Sequence, residues 1–317
     1  MNTETTVPIA TLTLNPCLDV SYEFRSLVAD QKVYADHNRF DPGGNGINVG
    51  RALKLLDQAT TNCCFLAGNI GNLIQRLLEP QIDGLNAVRL EGETRINCVL
   101  LEKEPATQFE VNGIGPTVTN EDLERITASV LAAAADGFAV LTGSLPPGTP
   151  ETVYGDLTEQ LHKRGARAVI DTQGEKLKHA LIHKPFLVKP NRYELELHCG
   201  HPLPRLEDVV EEARRIQQDG VTYVCVSLGA DGAVLVGPDN CYRASSPDVP
   251  VRSTVGAGDS MVGGLVAGFS QGRDAMETLR LAICCGSGTA GKPGTQLFTR
   301  EDVAKLEEQV EICALDL

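Results

Sequence analysis

The sequence has 317 residues, 42% of them apolar, and a formal charge of −14. Such a length and composition fit one large globular domain and exclude a disordered chain. The acidic balance argues against a nucleic-acid binder, yet it leaves room for an anionic small molecule, since a few placed cations and backbone N–H groups can hold a phosphate inside an acidic protein. No apolar run reaches the roughly 18 residues of a membrane span. The start MNTETTVPIA lacks the basic-then-apolar pattern of a signal peptide, so a cytoplasmic protein without membrane contact is expected. The ten cysteines include two adjacent pairs, Cys63-Cys64 and Cys284-Cys285, and no C-x-x-C. Buried free thiols are the expected use.

In chain order, two stretches of about 16–42 and 93–115 hold strand-like pieces (DVSYEF, RINCVLLE, TQFEVNG) with no helix between them. They read as a small sheet inserted in the body, a lid over a site. From about residue 117 strands and helices alternate. FAVLTG (138–143) is a strand, PETVYGDLTEQLHKRG a helix ending at Gly165, and ARAVID a strand. A short helix leads to PFLVKPN and NRYELELH. Leu206, Val209, Val210, Ala213 and Ile216 share one helical face, and VTYVCVSLG is a buried strand. Helical runs follow at 259–270 and 274–285, with a last one from about Thr299. The β-α rhythm predicts a mostly parallel sheet with helices on both faces, in a single domain over 1–317.

Three segments carry candidate chemistry. Ser253-Thr-Val-Gly-Ala-Gly-Asp259 is glycine-rich and opens a helix, where backbone N–H groups converge on an anion. Asp259 there is either a general base for a substrate hydroxyl or a helix N-cap. Asp41-Pro-Gly-Gly-Asn-Gly-Ile-Asn48 is a second glycine cluster before a helix, a binding loop or a tight turn. Lys189-Pro-Asn191-Arg-Tyr-Glu194 offers a capping box, or an amide and a carboxylate near a magnesium-bound phosphate. No G-x-x-x-x-G-K-[ST] occurs, and the literal G-x-G-x-x-G at Gly286–Gly291 follows a helical run instead of a strand. The spacing His198-Cys-Gly-His201 lacks the second ligand pair of a zinc site.

Together these segments resemble the PfkB (ribokinase-like) family of carbohydrate kinases. PGGNGINVGRAL (42–53), TGSLPPG (142–148), VKPNRYE (188–194), VSLGADG (226–232) and STVGAGDSMVGG (253–264) occur in the family's order, from about residue 8 onward. The resemblance implies a three-layer α/β/α fold with a β-sheet lid that often forms a homodimer contact, and in-line phosphoryl transfer from ATP with Mg2+, with a monovalent cation as a further possibility. It makes Asp259 the base, with Gly256, Ala257 and Gly258 presenting N–H groups to the transferring phosphoryl. Glu194 would act on magnesium through water. Lys189, Asn191, Ser227, Gly229, Gly232, Thr254 and Ser287 would line the ATP site. TLTLNPCLD (11–19) and T-R-I-N (94–97) are similar to the sugar-phosphate branch. Asp19, Gly43, Gly44, Asn48 and Ser144 would then hold the sugar, and Arg95 and Lys32 its phosphate. Asn45 stands where much of the family has lysine, which directs the expectation to fructose 6-phosphate, with 1-phosphofructokinase and tagatose-6-phosphate kinase as alternatives. A catalytically silent sugar-phosphate sensor is the alternative of another class.

Overall fold

The computed structural model describes residues 7–315. Among them the chain starts with β1 (Ile9–Thr13), then leaves the body through β2 (Cys17–Phe24) and β3 (His37–Gly43). It returns with α1 (Asn45–Leu55), β4 (Thr61–Ala67), α2 (Gly68–Leu78) and β5 (Gly84–Leu90). A second excursion, β6 (Arg95–Lys103) and β7 (Ala106–Val111), precedes α3 (Asn120–Ala134). Next come β8 (Phe138–Thr142), α4 (Val153–His162), β9 (Arg167–Asp171), α5 (Glu175–Ile182), β10 (Leu187–Val188), α6 (Arg192–Cys199), α7 (Leu206–Gln218) and β11 (Tyr223–Ser227). The chain closes with β12 (Ala233–Val236), β13 (Cys241–Ala244), α8 (Ala257–Ser270), α9 (Ala275–Ala290), α10 (Arg300–Glu307) and β14 (Ile312–Ala314).

The body sheet runs β14-β13-β12-β11-β10-β9-β8-β1-β4-β5, parallel from β11 to β5 and antiparallel from β11 to β14. Its inner strands are continuous apolar runs, as strands covered on both faces must be; FAVLT of β8 is buried throughout. One face is covered by α3 to α7, with Ile126, Val130, Tyr154, Leu157, Leu177, Leu195 and Val209 in its core. The other is covered by α1, α8, α9 and α10, through Val49, Leu53, Val262, Leu265, Ala282 and Leu306. The fold is therefore the three-layer α/β/α arrangement with a large, mostly parallel sheet and a small second sheet, ordered β3-β2-β6-β7.

Two details depart from the sequence reading. Helix α9 continues to Ala290, so Gly286 and Gly288 lie inside it, and the Gly-rich spacing there serves packing: a Cβ on Gly288 would sit 2.9 Å from Phe298 Cβ. The antiparallel extension β12-β13-β14 was not anticipated either. No helix among the described residues is long and apolar enough to cross a membrane. The ten cysteines are free thiols, seven of them buried.

Because β1, β8, β9 and β10 are parallel, their C-terminal ends open on one edge of the sheet. Ligand sites of open α/β sheets lie at such edges. The small sheet leaves the body from that edge, directly after β1.

Candidate active site

Helices α1 and α8 bring their N-termini together at this edge. They cross closely: a Cβ on Gly263 would lie 2.8 Å from the Ala52 Cβ, so a larger residue there would push the helices apart. Gly256 caps α8 at φ 77, the left-handed region that a side chain disfavours. Asp259 is consequently the third residue of the helix and makes no capping bond, which removes the N-cap reading. Its carboxylate is buried and held from α1 instead: Asn45 Nδ2 donates to Oδ1 at 2.9 Å and Asn48 Nδ2 to Oδ2 at 2.8 Å. Burial, aided by the negative charge of Asp171, raises the Asp259 pKa to about 6 against the two amide bonds and the Lys189 cation. A carboxylate poised near neutrality is suited to accept a proton in the reaction and release it afterwards.

Two compartments meet at this carboxylate. The larger, about 780 Å³, lies under the small sheet and is lined by Asp19, Gly44, Asn48, Arg95, Asn97 and Arg252, among others. The smaller, about 360 Å³, is lined by Asp171, Lys176, Lys189, Asn191, Glu194, Thr254 and Gly258. Asn45, Ser144, Gly256 and Asp259 line both. Asp259 thus stands at the boundary between the two spaces.

In the larger compartment Asp19 accepts bonds from Asn97 Nδ2 at 3.0 Å and Cys17 Sγ at 3.2 Å, and burial raises its pKa. Gly43 does not line the cleft; it leaves the space that the Asp19 carboxylate occupies, since a Cβ there would run into it. Arg95 is placed by bonds to Asn15 O at 2.9 Å and Ser144 Oγ at 3.5 Å. Lys32 is exposed on the connection between β2 and β3 and does not line the cleft. The cations that do line it in this chain are Arg39, Arg95 and Arg252, of which Arg39 is bonded to Asp41.

In the smaller compartment the capping box between Asn191 and Glu194 is present: each side chain accepts from the other's N–H at 2.8 Å. Only Glu194 Oε2 is used in this bond. Capping and metal service are therefore compatible in one residue. Burial raises the Glu194 pKa, although the Asn191 N–H bond and Lys189 oppose the shift. Lys189 forms a buried ion pair with Asp171 at 3.1 Å. Burial alone would lower its pKa, but Asp171 and Glu194 outweigh that and hold it raised. The Ala257 N–H closes a turn onto Thr254 O at 3.3 Å. Gly258 lines the compartment whereas Ala257 does not, so the first-turn N–H groups offered to an anion start at Gly258.

Ser227, Gly229, Gly232 and Ser287 lie outside both compartments. Ser227 bridges to Asn191, and Gly229, at φ 61, has open space over it. Gly232 packs its backbone against Ala244 O. The sequence reading missed Asn45 as a partner of Asp259, and also Asp171, Lys176 and Asn97. In the sequence Asn45 stands out only as the absence of a lysine. Among the described residues no group of three or more His, Cys, Asp or Glu side chains could hold a metal ion by itself.

The chain as a whole is similar to known proteins. The family model for the pfkB family carbohydrate kinase covers residues 5–302. A 1-phosphofructokinase of Bacillus subtilis is 33% identical over 97% of this chain and 100% of its own. Another, from Rhodobacter capsulatus, is 35% identical over 98% and 99%. Phosphofructokinase-2 of Escherichia coli, solved with substrates and products, superposes with a TM-score of 0.91 at 32% identity, over 95% of this chain and 99% of that one. The same protein has also been solved with potassium, with a TM-score of 0.90 at 32% identity over 95% and 98% of the two chains. This chain belongs to the pfkB family of carbohydrate kinases and is a sugar-phosphate kinase.

Proposed function

We propose that this kinase transfers the γ-phosphoryl of ATP to fructose 1-phosphate, giving fructose 1,6-bisphosphate. The observation that carries the chemistry is the position of Asp259, at the boundary of two compartments and at the start of a helix. The sugar lies under the small sheet with its phosphate toward Arg95 and its free primary hydroxyl toward Asp259. The triphosphate lies in the smaller compartment, against Gly258, Thr254, Lys176 and Lys189. Transfer then needs little more than alignment and charge neutralisation.

The sequence alone favoured fructose 6-phosphate. The curated relatives above carry the name 1-phosphofructokinase, and this reverses the order of the two. Fructose 6-phosphate stays as the second reading because position 45 is asparagine and because of the likeness to phosphofructokinase-2. Comparing kcat/KM for the two sugars decides between them: the proposal expects fructose 1-phosphate to be used at least tenfold better, and the reverse preference would establish the second reading. With either sugar, Arg95→Ala removes a charge-assisted bond worth about 1.5–3 kcal/mol. A loss of roughly 10- to 150-fold in kcat/KM for the sugar should follow, with little change in KM for ATP. An unaltered sugar KM would remove Arg95 from the phosphate site.

The residues present fit magnesium brought in on the nucleotide. One carboxylate, Glu194, has an oxygen free of the capping bond, and Mg2+ uses one or two carboxylates with phosphates and water. When bound, it neutralises charge on the phosphates. Glu194→Gln keeps the cap acceptor and should raise the magnesium requirement while shifting the melting temperature little; an unchanged magnesium titration would leave Glu194 as a cap only. Potassium titrated in parallel tests for a monovalent-cation requirement.

The small sheet also suits a homodimer contact. Strand register places Phe40, Ile96, Phe109 and Val111 on the face opposite Asp19 and Arg95, and all four are exposed, by 44–60%. Phe109→Glu should shift the mass in light scattering from two chains to one, and a wild type of one chain would refute the contact.

A further inference from the structure

The bonds around Asp259 extend one residue beyond the cleft. Arg51 lies on α1 three residues past Asn48, is buried at 8% exposure, and lines neither compartment. Its Nη1 donates to Asn48 Oδ1 at 3.0 Å, and Asn48 Nδ2 donates to Asp259 Oδ2 at 2.8 Å. A carboxamide has an acceptor at one end and donors at the other, and the two ends have nearly the same shape. Turned by half a rotation, Asn48 would set its carbonyl oxygen against the Asp259 carboxylate, acceptor on acceptor. A guanidinium has five donors, no acceptor and a permanent charge, so a guanidinium at Asn48 Oδ1 disfavours that turn.

We propose that Arg51 is a positioning residue for the transfer: it fixes the orientation of the Asn48 amide, which holds Asp259 Oδ2 and so sets the carboxylate at the boundary of the two compartments for the acceptor hydroxyl. Arg51 touches neither substrate, and it acts through Asn48. Burial pushes the Arg51 pKa down, offset in part by Asp41 on β3, Asp259 on α8 and Asp19 on β2, with Arg39 on β3 opposing them. Asp259 is faced in addition by Asp171 at the end of β9 and Lys189 just after β10. Replacing Arg51 by an apolar residue removes one of the two contacts that set the amide orientation and leaves only the Asp259 carboxylate to hold it, so the base then samples misaligned states more often.

The proposal rests on the kinase reading, so the wild type is assayed first with fructose 1-phosphate and fructose 6-phosphate. A wild type that phosphorylates neither overturns that reading and this proposal together. With the sugar that the wild type uses, kcat, both KM values and melting temperature are measured for Arg51→Met, Arg51→Lys, Asn48→Ala and the double variant Asn48→Ala/Arg51→Met. Misalignment of a reacting group costs up to about 100-fold, so Arg51→Met should lower kcat roughly 10- to 100-fold with KM for ATP within about twofold. Arg51→Lys keeps a charged donor and should recover to within about threefold of wild type. The double variant should be no slower than Asn48→Ala, because Arg51 has nothing left to orient. Where Arg51→Met does not fold, Arg51→Gln serves in the same cycle, since it can accept as well as donate and so imposes no orientation. A folded Arg51→Met or Arg51→Gln with wild-type kcat overturns the proposal. So does a double variant whose loss is the product of the single losses, or an Arg51→Lys as slow as Arg51→Met.

Discussion

Asp259→Asn is expected to lower kcat by about 10²- to 10⁴-fold, the usual worth of a positioned general base. The substitution keeps the size of the side chain and leaves the α8 cap, which is Gly256, in place. It removes the ability to take the proton and turns one of the two amide contacts, to Asn45 or to Asn48, into donor against donor. Stability should respond in the other direction. The Asp259 pKa is raised to about 6 from 3.8, so the folded state holds its proton more tightly than the unfolded state does. This contribution favours folding fully below pH 4 and is lost as pH rises through about 6, a difference of about 3 kcal/mol. At pH 8 the wild type therefore carries an ionised buried carboxylate that the variant lacks. The variant should melt no lower than the wild type, less whatever the altered amide bonds to Asn45 and Asn48 cost. A variant that melted far lower and kept most of its turnover would make Asp259 a structural residue.

Lys189→Met should be the most damaging of the single changes to stability. Lys189 and Asp171 are 3.1 Å apart, with side chains only 5% and 12% exposed. Taking away one partner of a buried pair leaves an uncompensated charge and costs about 3–5 kcal/mol. For a domain of this size that corresponds to a fall in melting temperature of about 5–8 °C. The loss also reaches the chemistry, because Lys189 helps to keep Asp259 ionised and Asp171 opposes it. Adding Asp171→Asn removes the stranded carboxylate, so the double variant should recover most of the melting temperature. It should not recover turnover, since the cation that the proposed ATP site sets against the phosphates is still missing. A Lys189→Met protein as stable as the wild type would show that Asp171 tolerates isolation and that the pair does not hold this edge together.

The parts of this site that were legible in the sequence are those where the chemistry needs contiguous residues. An anion cradle at a helix start requires consecutive small residues, and Gly256-Ala257-Gly258-Asp259 announces itself for that reason. The same holds for the β-α rhythm of the body, where period and burial are local properties. Asp171 and Lys176 were not legible, because each is an ordinary residue at a strand end or on a helix, and only the parallel order of β8, β9 and β10 brings them to one edge; Arg51 gains its place only where α1 meets α8. Asn45 has a role that its comparison with lysine hides. Compared with a lysine, it looked like a loss of charge, whereas its amide holds one oxygen of Asp259. Asn191 and Glu194 posed a choice between cap and metal group that the geometry dissolves, since a carboxylate has two oxygens and the cap uses one. Lys32 was assigned by the resemblance alone; within this chain it is exposed and away from the cleft.

On the proposed reaction the buried Asp259 carboxylate takes the proton of the acceptor hydroxyl. The most direct test is the ratio of kcat/KM for the sugar phosphate between the wild type and Asp259→Asn, measured from pH 5 to pH 8. Phosphate groups of the substrates titrate near pH 6 as well, but they do so in both proteins and cancel in the ratio. The ratio should rise about tenfold per pH unit below about 6, where Asp259 titrates, and be level above it. A ratio independent of pH across that range would contradict Asp259 as the base.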